Sequence, residues 1–133
     1  MKSITLRTAR RCEFVDITAD VQKAVQECGL SEGLAMVFVP HTTAGVTINE
    51  DADPSVVSDL LETLERLVPQ HGNYRHSEGN SDAHCKASLM GSSVSVAVQA
   101  NRLVLGTWQG IYFCEFDGPR SRKFQVLLLP GIR

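Results

Sequence analysis

Six apolar residues in a row, Leu34-Ala-Met-Val-Phe-Val39, are closed off by Pro40. An uninterrupted apolar run of strand length suits a β-strand covered on both faces. The segments around it must supply that cover.

Most of those segments alternate. Ser3 to Thr8 sets Ile4 and Leu6 among polar neighbours, and Cys12 to Ile17 continues with Phe14 and Val15. Both read as strands, and the spacing predicts a hairpin around Ala9-Arg-Arg11. Thr18 then caps a helix whose apolar stripe is Val21, Ala24, Val25 and Cys28, ended by Gly29. Asp53-Pro54 opens a second helix, a capping carboxylate followed by proline at the first helical position. Its expected buried stripe is Val57, Leu60, Leu61, Leu64, Leu67 and Val68, and Pro69 ends it. A third, short helix runs from a cap at Asn80 or Ser81 to Gly91, with Ala87 beside Met90 and Cys85 beside Leu89 on its inner face. Beyond it, Val94, Val96 and Val98 alternate, Ala100-Asn101-Arg102 turns the chain, and Leu103 to Leu105 resumes as a strand. Ile111 to Phe116 and Phe124 to Leu129 complete the set. In the former, Ile111, Phe113 and Glu115 take one face and Tyr112, Cys114 and Phe116 the other. The expectation is a single α+β domain over residues 1–133, with a mainly antiparallel sheet or sandwich and about three helices.

A net charge of -2 argues against general nucleic-acid binding, which needs a basic excess to neutralise phosphates. No stretch reaches the roughly 20 apolar residues of a membrane helix, and the first residues carry no apolar leader. The chain is therefore expected in the cytoplasm, with no membrane or nucleic-acid partner. Cys12, Cys28, Cys85 and Cys114 form no C-x-x-C pair and are expected as free, buried thiols.

Chemistry concentrates in two stretches. His41 to Glu50 reads as a strand with Ala44, Val46 and Ile48 on one side and His41, Thr43, Thr47 and Asn49 on the other. His76 to Gly91 carries two histidines with Glu78, Lys86 and Ser88, and His84 and Ser88 share a helix face. His41, His76 and His84 come from separate segments and could together hold zinc, with Glu50 or Glu115 completing or orienting the shell. A second set could hold phosphate: Lys86, Arg120, Arg122 and Lys123 supply donors, and Glu50, Asp53, Glu115 and Asp117 could hold a hydrated magnesium.

Several motifs occur together: His41-Thr-Thr-Ala with Asn49-Glu50 and Asp53-Pro54, Gly72-Asn-Tyr, His84-Cys-Lys-Ala-Ser88 with Gly91, and Gly106-Thr-Trp-Gln-Gly110 followed by Glu115. In combination they resemble the YjbQ-like family, also called the secondary thiamine-phosphate synthase family, across essentially the whole chain. The resemblance implies a compact α+β fold assembled as a homotrimer. It implies an activity joining a pyrimidine diphosphate to a thiazole phosphate with release of diphosphate, and a divalent metal, zinc or magnesium, bound by histidines. Carried over by motif, His41, His76 and His84 become the metal set. His41, His84, Lys86, Glu50 and Glu115 become the catalytic set, and Asn49, Ser88, Gln109 and Arg120 the substrate-binding set. Some relatives carry a histidine after the carboxylate that matches Glu115; here that residue is Phe116.

Three readings follow. One is a transferase with thiamine-phosphate synthase activity, in which Lys86 and Arg120 hold the diphosphate. Another is a metal-dependent hydrolase or phosphatase acting on a small phosphorylated metabolite. The last is a non-catalytic trimeric protein that binds a metal or an anionic metabolite.

Overall fold

A computed structural model describes residues 1–132. The elements run β1 (Lys2–Arg7), β2 (Glu13–Asp16), α1 (Thr18–Cys28), β3 (Gly33–Phe38), β4 (Ala44–Glu50) and α2 (Pro54–Leu67). They continue with α3 (Ser81–Met90), β5 (Ser93–Gln99), β6 (Arg102–Leu103), β7 (Gln109–Glu115) and β8 (Ser121–Pro130). The strands form two sheets, one ordered β1-β8-β3-β5-β6 and the other β2-β7-β4. Every paired ladder is antiparallel. The expected α+β architecture with three helices is what the chain adopts.

The main core lies between the two sheets, where Ala35, Val37, Phe124 and Val126 of the larger sheet meet Val46, Ile111 and Phe113 of the smaller. Helix α1 adds Val21, Ala24 and Val25 to it. Gly29 ends α1 in the left-handed conformation, at a φ of 71° that glycine adopts at little cost. A second core covers the other face of the smaller sheet, where Tyr112, Cys114 and Phe116 meet Leu64 of α2 and Ala83 and Ala87 of α3. The two faces of β7 thus divide as their alternation predicts. Asp53 caps α2 through the amide of Ser55 at 2.9 Å, ahead of Pro54.

The hairpin expected between β1 and β2 does not form: β1 pairs with β8 in one sheet and β2 with β7 in the other. Alternation fits a hairpin or two facing strands equally well. Here Ile4 and Leu6 reach the main core from one side and Val15 from the other. The crossing is tied to the neighbouring crossing from β7 to β8, because the Thr8 amide donates to the Arg120 carbonyl at 2.9 Å and the Gly118 amide to that of Arg11 at 3.0 Å.

The apolar run of β3 is covered on one face only. Ala35 and Val37 are buried, whereas Leu34 and Phe38 are each 37% exposed, because no helix lies over the outer face of the larger sheet. The stripe of α2 is also half covered: Leu64 is buried and Leu67 is 70% exposed. Helix α3 packs along β4, so α2 joins the second core through Val57 and Leu64. On α3 the inward residues are Asp82, Ala83, Lys86 and Ala87, which turns Cys85 and Leu89 outward rather than in. Of the four thiols, Cys114 is buried and Cys12 half-buried, while Cys28 and Cys85 are exposed, against the expectation of burial. The strand expected over Leu103 to Leu105 shortens to Arg102–Leu103, after a tight turn with positive φ at Ala100 and Asn101. Among the described residues, no helix is long and apolar enough to cross a membrane.

Candidate functional site

The β3–β4 connection, Pro40 to Thr43, is clamped to the structure behind it. The Thr43 carbonyl accepts from the Phe116 amide at 3.2 Å and from Arg122 Nη2 at 3.3 Å, and Thr43 Oγ1 lies 2.8 Å from the same Nη2. His41 Nε2 sits 3.0 Å from the amide nitrogen of Lys123 and 3.1 Å from its carbonyl oxygen. Whichever tautomer is present, the main chain of β8 engages Nε2, and Nδ1 has no hydrogen bond among the described residues. Burial, followed by the positive field of Arg122, holds the imidazole below its ordinary pKa, so the neutral form prevails at neutral pH.

Helix α3 approaches this loop because Gly45 permits it. A Cβ at that position would stand 2.7 Å from the Gly91 carbonyl oxygen and 3.1 Å from Met90 Cβ. The Val46 amide donates to the Gly91 carbonyl at 3.1 Å and pins the end of α3 to β4. The gap left between loop and helix is a cavity of about 480 Å3, lined by His41, Thr42, Ala44, His84, Ala87 and Ser88 among others. Ser88 Oγ donates to the His84 carbonyl at 3.0 Å. A neighbouring cavity of about 570 Å3 shares His41, Thr42 and Ser92 and adds Thr43, Arg120 and Arg122.

His76 stands beside this groove. Its ring centroid is 5.4 Å from that of His84, nearly perpendicular, and its Nε2 lies 3.1 Å from Asn80 Oδ1. Asn80 Nδ2 donates to Asp117 Oδ2 at 3.0 Å, and Arg120 Nη2 donates to the same oxygen at 3.0 Å. A string of polar contacts therefore links His76 to Arg120. Among the described residues, no three or more His, Cys, Asp or Glu side chains are arranged to hold a metal ion.

Two expected site residues are engaged inside the protein. Lys86 is 1% exposed, with Nζ 2.9 Å from Asp82 and 2.6 Å from Glu65, and Arg11 holds Asp82 from the other side at 2.9 Å. Burial pulls the Lys86 ammonium down, but the bonds to Glu65 and Asp82 outweigh it and leave its pKa raised. Glu115 is fully buried and accepts from Arg122, from Thr8 Oγ1 at 2.7 Å and from the amides of Phe116 and Asp117. Burial pushes its carboxyl up, and these bonds, with Arg122 foremost, hold it below the usual value. The one signal in the sequence that could have shown the Lys86 pair is the spacing of Asp82 and Lys86, four apart on one helix. Nothing local to the chain marked Thr42 or Ser92 as groove residues.

Asn49, Glu50 and Gln109 gather elsewhere. Glu50 opposes Gln109 and Asn49 opposes Gly110 at the far end of the β4–β7 ladder. Asn49 Oδ1 accepts from the Glu50 amide at 2.7 Å, and Gln109 Oε1 from the Gly106 amide at 2.8 Å. Ala44 and Glu50 stand six positions apart along the strand, about 20 Å at the usual rise. The chain thus brings His41, His84, Ser88 and Arg120 to one groove, sets His76 at its side, and leaves Asn49, Glu50 and Gln109 at the opposite end.

Two facing sheets, α2 and α3 over the smaller one and a histidine-lined groove where α3 meets the β3–β4 loop define the class: a small α+β protein with an open polar cleft. The chain belongs to the family described as UPF0047 protein YjbQ-like, whose model matches residues 2–130. It is 48% identical over 130 residues to the UPF0047 protein YugU of Bacillus subtilis, covering 97% of this chain and 98% of that one. Among solved structures, it is similar to an uncharacterized conserved protein of the yjbq/upf0047 family from Clostridium acetobutylicum. That similarity has a TM-score of 0.96 and 55% identity, over 97% of this chain and 100% of that one. A conserved hypothetical protein from Thermus thermophilus gives a TM-score of 0.91 at 43% identity, over 97% of this chain and 100% of that one.

Proposed function

We propose that the chain is an enzyme acting on a small phosphorylated metabolite, with the imidazoles of His41 and His84 moving protons in the groove. The observation that carries this reading is that two histidines from separate segments line one cavity, one of them held through Nε2 against the β8 main chain. A neutral imidazole is a proton acceptor near neutral pH, and its conjugate acid is a donor. The family resemblance supplies the reaction to test first, the transferase reaction of a thiamine-phosphate synthase. A pyrimidine diphosphate and a thiazole phosphate are joined and diphosphate leaves. In it the thiazole nitrogen bonds to the pyrimidine methylene as the C–O bond to diphosphate breaks; Arg120 would contact phosphate oxygens, and a histidine would give a proton to the departing diphosphate.

A second reading, hydrolysis of a phosphate ester, draws support from Lys86. The cation assigned to the diphosphate is engaged by Asp82 and Glu65 inside the protein. The arginines that remain at the groove suit one phosphate group better than two. Assay with both halves present, and with each alone, separates the two: a joined product marks the transferase, and phosphate from one substrate marks the hydrolase. In either case His84→Ala is expected to lower turnover about a hundredfold or more while the fold persists. Full turnover in His84→Ala and in His41→Ala would overturn both, and binding without turnover of any compound would leave a metabolite-binding protein.

A divalent metal and a homotrimer belong to the same proposal. A metal would take further ligands from substrate, water or a second chain, and metal analysis of the purified protein decides whether one is present. The open outer face of the larger sheet offers an apolar surface for assembly.

A further inference from the structure

The two cavities share His41, Thr42 and Ser92, so they are lobes of one groove with His41 at the divide. Their walls differ. The lobe toward α3 is built on the small residues Ala44, Ala87 and Gly91. The lobe toward β8 carries two guanidinium groups, Arg120 and Arg122, and no carboxylate among its lining residues.

The two arginines are held in the same way. Arg122 is 4% exposed; its Nε and Nη2 bond to Glu115, and Nη2 also to Thr43. Arg120 Nε donates to the Asp117 carbonyl at 2.9 Å and its Nη2 to the Asp117 carboxylate at 3.0 Å. Among the described residues neither Nη1 has a hydrogen-bond partner. No buried side-chain nitrogen or oxygen is left unpaired among those residues either. The Nη1 of Arg122, unpaired, is therefore not sealed from solvent, and Arg122 is one of the residues that line the lobe.

We infer that this lobe seats a phosphate-ester group, held by the Nη1 groups of Arg122 and Arg120, while the small uncharged body of the same molecule passes His41 into the lobe beside α3. The inference rests on the groove being the functional site, and it states which part of the ligand each lobe takes. Guanidinium groups already fixed by carboxylates lose little freedom when an anion arrives. Each keeps an N–H pair for a phosphate oxygen, and such charge-assisted bonds are the strong ones. The charge order agrees with this arrangement. After burial, the largest influence on His41 is the positive charge of Arg122, and the opposing pull of Glu115 is weaker. Arg122 lines the lobe and Glu115, its partner, does not.

The test titrates inorganic phosphate into isotope-labelled protein at constant ionic strength. Saturable amide shifts are expected at Thr42, Ser92 and Lys123. Arg120→Gln is expected to weaken phosphate binding about tenfold or more, the loss of one charge-assisted bond. Arg122→Lys keeps a charge but loses the fork, and is expected to weaken binding too, provided thermal unfolding shows it folded. Unchanged affinity in Arg120→Gln, or shifts confined to residues outside the groove, would overturn the inference. His84→Ala should bind phosphate as the parent does. If that variant keeps full turnover while Arg120→Gln loses phosphate, the lobe stands and the histidine reading falls. If phosphate binds nowhere in the groove while His84→Ala abolishes turnover, the lobe falls and the histidine reading stands.

Discussion

The ammonium of Lys86 lies 2.9 Å from the carboxylate of Asp82, one turn earlier on the same helix, and both side chains are closed off from water. Arg11 from the β1–β2 crossing and Glu65 from α2 complete the network. It joins three segments that also meet in the second core, through Cys12, Leu64 and Ala83. A charge in this position stabilises only while its partners remain, because an unpaired buried charge is costly.

Replacing Lys86 therefore tests a structural role against a catalytic one. Lys86→Met leaves Asp82 with Arg11 alone and is expected to cost about 3–5 kcal/mol of stability. Urea unfolding measures it. Phosphate binding in the groove should be unaffected in the folded fraction. A variant as stable as the parent but unable to bind phosphate would place Lys86 at the ligand instead.

Acid sensitivity follows from the buried carboxylates. Glu115 and Asp82 are both held below their ordinary pKa: burial opposes this, and the bonds to Arg122 and Arg11 respectively overcome it. A depressed carboxyl adds stability that is complete above its unfolded value, near 4, and is lost as pH falls through the folded value. His41, also depressed, adds an earlier loss below about pH 6.5, where the unfolded chain takes up a proton that the folded chain resists. Unfolding free energies measured from pH 7 to pH 3 should decline first through His41 and then, at lower pH, through the carboxylates. In Glu115→Gln the decline below pH 5 should be shallower, and an identical slope would remove Glu115 from the account.

Gly45 sets the width of the groove. Its α-carbon faces the Gly91 carbonyl and Met90, and an added methyl would lie 2.7 Å from the carbonyl oxygen. Gly45→Ala should push α3 off β4, lowering stability by about 1–3 kcal/mol as overpacking does. It should also change the chemical shifts of His84 and Ser88. Thermal unfolding and an amide spectrum check both, and an unchanged melting temperature would mean that the helix shifts freely.

The outer face of the larger sheet tests assembly. Leu34 and Leu129 are paired neighbours on β3 and β8, both exposed, with Phe38 on the same face of β3. Light scattering is expected to give the mass of three chains, and Phe38→Asp with Leu129→Asp to give single chains of unchanged helix content. A parent protein that runs as a monomer would sink the trimer proposal.

What could be read from the chain alone was local. The period of two in Ile111 to Phe116 sorted Phe113 from Cys114 before any partner was known, because successive side chains on a strand must point opposite ways. Asp53-Pro54 marked the start of α2, and Gly29 the end of α1, through the hydrogen bonds and dihedrals of single turns. Sidedness was less secure. The continuous run of β3 looked doubly buried, but an apolar residue can face water when nothing in its own chain lies above it. Tertiary structure alone decided that β1 and β2 join different sheets, that Lys86 is closed off inside with Glu65 of α2, and that Asn49 lies far from His41. It also decided that Arg122 reaches Glu115 and Thr43, the latter 79 residues away in the chain. Periodicity is a property of adjacent residues, whereas the meeting of charges depends on how distant segments pack, and no short stretch of sequence contains that information.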